Sequence, residues 1–144
     1  MTRTLASIRA DAVAETTAIS KAPAPGRRII LLSGERHVPG SIFHLEATIF
    51  ASPRGNAHGE ILWTNVDSPR LPADMACPEL VSGAADGVYL ELTGYQIEPP
   101  LISESYRITL YGAAEVGVFQ GICCLGGVWD ARLSGTYQVV TERG

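Results

Sequence analysis

The chain is 144 residues long, 46% hydrophobic and 18% charged, with a formal net charge of −4. That length suits one domain with its own core, and the charge content lies below the ~25% usual for globular chains. The arginines beyond residue 30 (Arg36, Arg54, Arg70, Arg107, Arg132, Arg143) are scattered and no lysine follows Lys21, so a nucleic-acid surface is not expected.

Residues 4–19 read as a short amphipathic helix, with Leu5, Ile8, Ala12 and Ile19 near one stripe. Arg9, Asp11 and Glu15 interrupt the segment, so it lacks the continuous apolar stretch of a signal peptide. The stripe is too thin to fold alone. Lys21-Ala-Pro-Ala-Pro-Gly26 follows as a stiff spacer. Residues 1–26 are therefore expected to form an N-terminal extension to a domain spanning 27–144. It would serve as a lid over a pocket, an assembly arm or a loose tail.

From Arg27 onward the apolar period is two. Strands are expected at 28–36, 41–51, 58–66, 88–97, 103–112, 115–125 and 127–141, the last divisible at Ser134-Gly135. The fold class is all-β: an antiparallel barrel of seven or eight strands. Strand glycines at 94, 117, 121 and 135 suit a tightly curved sheet. Residues 67–87 hold Pro69, Pro72 and Pro78 and little periodicity, and are expected to form a long loop.

Two hairpins carry register information. Pairing odd with odd positions places Phe43, Leu45, Ile49, Ile61 and Trp63 on one, interior, face. Centring the turn on Gly55 pairs position 50 with 60 and 46 with 64. Gly126-Gly127 reads as a two-residue turn that sets Cys124 across from Trp129 and Ile122 across from Ala131.

Chemistry-bearing patterns are sparse. Cys77, Cys123 and Cys124 are an odd number, and adjacent strand cysteines point to opposite faces, so a reducing cytoplasm is expected. His44-x-Glu46 and His58-x-Glu60 each share a face, but register sets them apart on the outward side, so no metal site is expected. There is no Gly-x-Ser-x-Gly and no phosphate-binding glycine loop. Stretches too apolar for a single buried face, Ile29–Leu32, Ile61–Trp63 and Ile122–Leu125, call for a second cover, and a homo-oligomer is expected. No apolar run reaches the length of a membrane-spanning helix, so no membrane partner is expected.

Aromatics with a few polar groups inside a barrel are the usual make-up of a small-molecule pocket. The candidate ligand-binding residues are Trp63, Glu91, Tyr95, Tyr106, Phe119, Trp129 and Tyr137. Alternatively Glu91, Arg107, Asp130 and Arg132 form exterior charge pairs across strands, and the aromatics are plain core. No catalytic residue is assigned.

Gly117-Val-Phe119-Gln-Gly121 and the closing Ser134-Gly-Thr-Tyr137-Gln-Val139 resemble the allene-oxide-cyclase-like barrels, in particular the bacterial spirotetronate and spirotetramate cyclases. The resemblance implies an eight-stranded barrel that folds a polyene-like substrate without a cofactor, some members using an N-terminal segment as a cap. The function expected is binding of a largely apolar small molecule in the interior, with cyclisation as a cofactor-independent activity. The alternative is a structural or assembly subunit.

Overall fold

The structure, a computed structural model, describes residues 26–68, 71, 73–74, 76–96, 103–125 and 127–141. The expected helix at 4–19 lies outside the described residues. The alternating segments fold as eight antiparallel strands: β1 (Arg28–Val38), β2 (Ser41–Ala51), β3 (Asn56–Asp67), β4 (Ala76–Ala85), β5 (Tyr89–Gln96), β6 (Ser103–Gly112), β7 (Val116–Leu125) and β8 (Val128–Thr141). Each pairs with the next, and β8 closes on β1, so the sheet is a closed up-and-down barrel without a free edge.

Three expectations are corrected. The loop expected over 67–87 contains β4. Its inward positions are Cys77, Glu79, Val81, Gly83 and Ala85, which carry no apolar alternation, and Pro78 normally argues against an interior strand. β8 is a single strand, so the eighth strand is β4 rather than a divided C-terminal segment.

The β2–β3 hairpin is tighter than expected. Phe50 pairs with His58 and Glu46 with Leu62, while Leu45↔Trp63 and Ala47↔Ile61 keep the odd-with-odd rule. The turn is centred on Arg54: Gly55 takes φ +92° and its N–H donates to the Ser52 carbonyl at 3.0 Å.

The β7–β8 turn does pair Leu125 with Val128, but the register then slips, giving Cys123↔Ala131 and Ile122↔Arg132. Trp129 and Asp130 together oppose Cys124, which is a β-bulge. The bulge removes Trp129 from the inward series that Ala131, Leu133 and Tyr137 continue. Trp129 is exposed, not core.

The interior is filled from every strand, with Ile30, Leu45, Ile49, Ile61, Leu90, Leu92, Ile108 and Phe119 among the fully buried residues. Two glycines face each other at the β1–β8 seam. There Gly34 and Gly135 are register partners, and a Cβ on either would run into the backbone of the other strand. Outward positions of β6–β8 remain apolar: Tyr111, Val116, Val118, Ile122, Val128 and Trp129 are all more than a third exposed.

Candidate functional site

The inward series of four strands ends in polar groups at the barrel end that carries the β1–β2 and β7–β8 turns. On β1 the series Ile30, Leu32, Gly34 reaches Arg36. On β6 it runs back from Leu110 and Ile108 through Tyr106 to Glu104. β4 contributes Glu79 and β7 contributes Cys123. Glu79, Tyr106 and Cys123 have no exposed surface, and Glu104 and Arg36 are buried. Ionisable groups this deep are costly unless paired, and their convergence on one spot marks the candidate site.

Glu104 Oε2 is the hub. It accepts from Arg36 Nη1 at 2.6 Å and from the Cys123 thiol at 3.4 Å, and lies 2.6 Å from the Tyr106 hydroxyl. The same hydroxyl makes a short contact with Glu79 Oε1. The Arg36 guanidinium lies 4.1 Å from the Trp63 ring centre and 5.0 Å from that of Phe43, a stacked cation that its planar shape permits. Trp63 and Tyr106 stack with centroids 6.0 Å apart.

The electrostatics follow from this packing. Burial, reinforced by the negative charge of Glu104, pushes the Glu79 carboxyl up to about 7, against smaller downward pulls from Tyr106, Arg36 and Trp63. Burial pushes the Cys123 thiol up to about 12, which leaves it an inert thiol and a hydrogen-bond donor. Burial and Glu104 likewise raise the Tyr106 phenol well above its ordinary value. Burial is the largest influence on Arg36 and pulls it down, but Glu104, Tyr106 and Cys123 together outweigh it and the guanidinium stays charged. Arg36 and Glu104 face each other at 2.6 Å, and Glu79 is the group poised between two states at neutrality.

Three buried polar atoms of this cluster lack a hydrogen-bond partner: Arg36 Nε, Trp63 Nε1 and Glu79 Oε2. The Trp63 indole N–H lies near enough to the Glu79 carboxyl to favour its ionised form, but not in hydrogen-bond geometry. Two unused donors and one unused carboxyl oxygen in a desolvated site are what a ligand bearing oxygen would complete.

The structure divides the sequence candidates. Trp63, Tyr106, Phe119 and Tyr137 point inward and are buried. Of these, only Trp63 and Tyr106 belong to the polar cluster; Tyr137 donates to the Ala113 carbonyl at 2.6 Å, at the other end of the barrel. Glu91, Tyr95 and Trp129 are exposed on the outside. Glu91 is the register partner of Arg107, whose guanidinium lies 4.5 Å from the Trp129 ring centre. Arg107, Asp130 and Arg132 are exposed too, in keeping with the exterior reading.

Sequence reasoning missed Arg36, Glu79, Glu104 and Cys123 as a group. The signal was available for Arg36 and Glu104, since each extends an inward apolar series by one step. For Glu79 it was not, because its strand was not recognised.

Other features do not compete. A groove of about 920 Å³ runs along the outside of β6–β8, lined by Arg107, Tyr111, Ile122 and Arg132 among others, but its charged groups are solvated. Among the described residues no group of three or more His, Cys, Asp or Glu is placed to hold a metal. His44 Nε2 and Glu46 Oε1 form a surface pair at 2.9 Å. His58 faces outward as expected but is buried against Phe50, with ring centroids 5.4 Å apart, rather than solvated. Among the described residues no helix is long and apolar enough to cross a membrane. No family model, no curated protein and no solved structure matches this chain.

Proposed function

We propose that the barrel binds a small, largely apolar molecule at its Arg36–Trp63–Glu79 end, with an oxygen of that molecule held by those groups and the packed inward side chains of that end parting to admit it. The observation that carries this reading is the set of three unpartnered buried polar atoms, Arg36 Nε, Trp63 Nε1 and Glu79 Oε2, around a stacked cation. Buried polar atoms without partners are uncommon in native cores, and three in one cluster call for a group that completes them. The apolar walls select for shape, and the polar end orients the ligand. For a cyclising reaction, as the family resemblance implies, such a site supplies proximity and orientation, with the donors of Arg36 and Trp63 polarising a carbonyl.

The test uses nuclear magnetic resonance on the full chain, whose two tryptophans sit inside and outside the barrel. Linear methyl ketones of increasing length should shift the Trp63 indole N–H saturably and leave that of Trp129 unmoved. Absence of a shift with every member, or equal shifts at both, overturns the reading.

A second reading, an assembly subunit that self-associates, is favoured by one separate observation. Tyr111, Val118, Ile122 and Trp129 expose apolar surface on the outside of neighbouring strands. It is compatible with the first, since it uses the opposite face of the sheet.

A further inference from the structure

A phenol carries one hydroxyl hydrogen, and the Tyr106 hydroxyl meets two carboxyl groups, Glu104 Oε2 and Glu79 Oε1. It donates to only one of them. The other contact is attractive only if that carboxyl carries a proton and donates to the phenol oxygen. Glu104 already accepts from Arg36 and Cys123, and its Oε2 is in contact with the guanidinium. Glu79 has no donor other than Tyr106 in hydrogen-bond geometry. The extra proton therefore sits on Glu79, and the resting chain runs from Glu79 O–H to Tyr106 and from Tyr106 O–H to Glu104.

The groups facing Glu79 are few: Arg36 from β1, Trp63 from β3, Cys77 from its own strand, Glu104 and Tyr106 from β6 and Cys123 from β7. β5 presents Gly94, whose missing side chain is where the Glu79 carboxyl lies. Arg36 is the sole cation among them. One carboxylate is neutralised in this cluster, and a second must take up or release a proton with its surroundings.

We propose that Glu79, Tyr106 and Glu104 form a one-proton relay inside the barrel, at which Glu79 transfers its O–H hydrogen bond to the oxygen of a bound uncharged carbonyl compound while the Tyr106 hydroxyl turns from Glu104 to Glu79. The transfer step rests on the ligand-binding reading above; the resting placement of the proton is a property of the empty barrel. In the resting chain the protonated oxygen of Glu79 faces Tyr106. In the transfer the carboxyl makes a half-turn, so that its O–H faces the ligand oxygen and its unprotonated oxygen faces Tyr106. The O–H bond stays intact, no covalent bond forms on the ligand and no electrons change hands. The unprotonated oxygen accepts the Tyr106 hydroxyl. Glu104 loses one donor and keeps two, Arg36 N–H and Cys123 S–H. Release of the ligand reverses each movement.

The experiment follows the glutamate carboxyl carbons by ¹³C resonance across pH in the empty full-length chain, with Glu79 identified by its loss in Glu79→Gln. A midpoint near 7 is expected, and in Tyr106→Phe it should rise by about one pH unit as the carboxylate loses its donor. A midpoint in the ordinary carboxyl range, below about 5, overturns the proposal, as does an unmoved midpoint in a folded Tyr106→Phe. If Tyr106→Phe does not fold, the infrared carbonyl band of the protonated carboxyl in the wild type decides, since it must vanish with the same midpoint. A methyl ketone added to the wild type should bind on the order of ten-fold more weakly at about pH 8.5 than at about pH 6, and equally at both in Glu79→Gln. Binding without pH dependence overturns the transfer and leaves the ligand site standing. No ketone binding overturns the ligand site and the transfer together, while the midpoints still decide the placement of the proton.

Discussion

The carboxyl group of Glu79 on β4 occupies the space that a Cβ on Gly94 of β5 would fill. Gly94 lies between its register partners Val81 and Glu104, so the gap in the inner face opens beside the polar cluster. Gly94→Ala should displace the Glu79 carboxyl from Tyr106 and destabilise the barrel by about 1–3 kcal/mol. In a Glu79→Ala background the same change should be milder, with a coupling of at least about 1 kcal/mol in a double-mutant cycle of denaturant unfolding. Strict additivity would show that the two positions do not compete for the space.

Glu79 also links stability to pH. Its carboxyl is raised from 4.5 to about 7 in the folded chain. The folded state thus holds a proton more tightly than the unfolded state. The associated stability is fully present below pH 4.5 and is lost as pH rises through about 7. Glu79→Gln lacks that loss. Relative to the variant, the wild type should weaken by about 3 kcal/mol between pH 4.5 and pH 8, measured by urea unfolding at several pH values. A constant difference across that range would place the titration elsewhere.

The two tryptophans should respond oppositely to truncation. Trp63 is 2% exposed and supports the Arg36 guanidinium, so Trp63→Ala should cost about 3–5 kcal/mol. Trp129 is 40% exposed and stacks with Arg107 on the outer face, so Trp129→Ala should cost under about 1 kcal/mol. Thermal melts of the two variants separate these outcomes. Similar losses in both would mean that the bulge at Cys124 does not turn Trp129 out.

Light scattering tests self-association. The apolar outer face of β6–β8 is expected to give a mass at least twice 15.3 kDa at micromolar concentration, lowered by Ile122→Glu or Val118→Glu. A mass of one chain in the wild type would show that this face stays bare.

How much was legible in the residues depended on which side of the alternation rule each position fell. Barrel class, seven of the eight strands and the parity of the β2–β3 pair follow from period two, because an apolar inner face is a regular signal. The rule fails where the inner face is not apolar. β4 turns Glu79 inward beside Gly83 and Ala85, so the strand that contributes the most perturbed carboxyl is also the one that alternation cannot detect. The same logic explains Trp129: a bulge of one residue reverses its facing, and no local propensity marks it. Convergence of Arg36, Glu79, Glu104 and Cys123 is a matter of closure, since their strands meet only because β8 returns to β1.

That closure sets the order in which the barrel can assemble. Every strand pair but one joins sequence neighbours, and the exception, β1 with β8, spans nearly the whole domain from Arg28 to its partner Thr141. Hairpins can form early and independently, whereas the seam must wait for all of them and bears the entropy of the largest loop. Arg36 enters the interior from one side of that seam. The ion pair with Glu104, the stacking on Trp63 and the proton chain through Tyr106 therefore come into being only with the last ladder. A chain recut at the Gly40 turn, with Thr141 linked to Arg28, would make this seam a local hairpin and shift the late ladder to β1–β2, so the same interior should be reached with Arg36 already placed before closure.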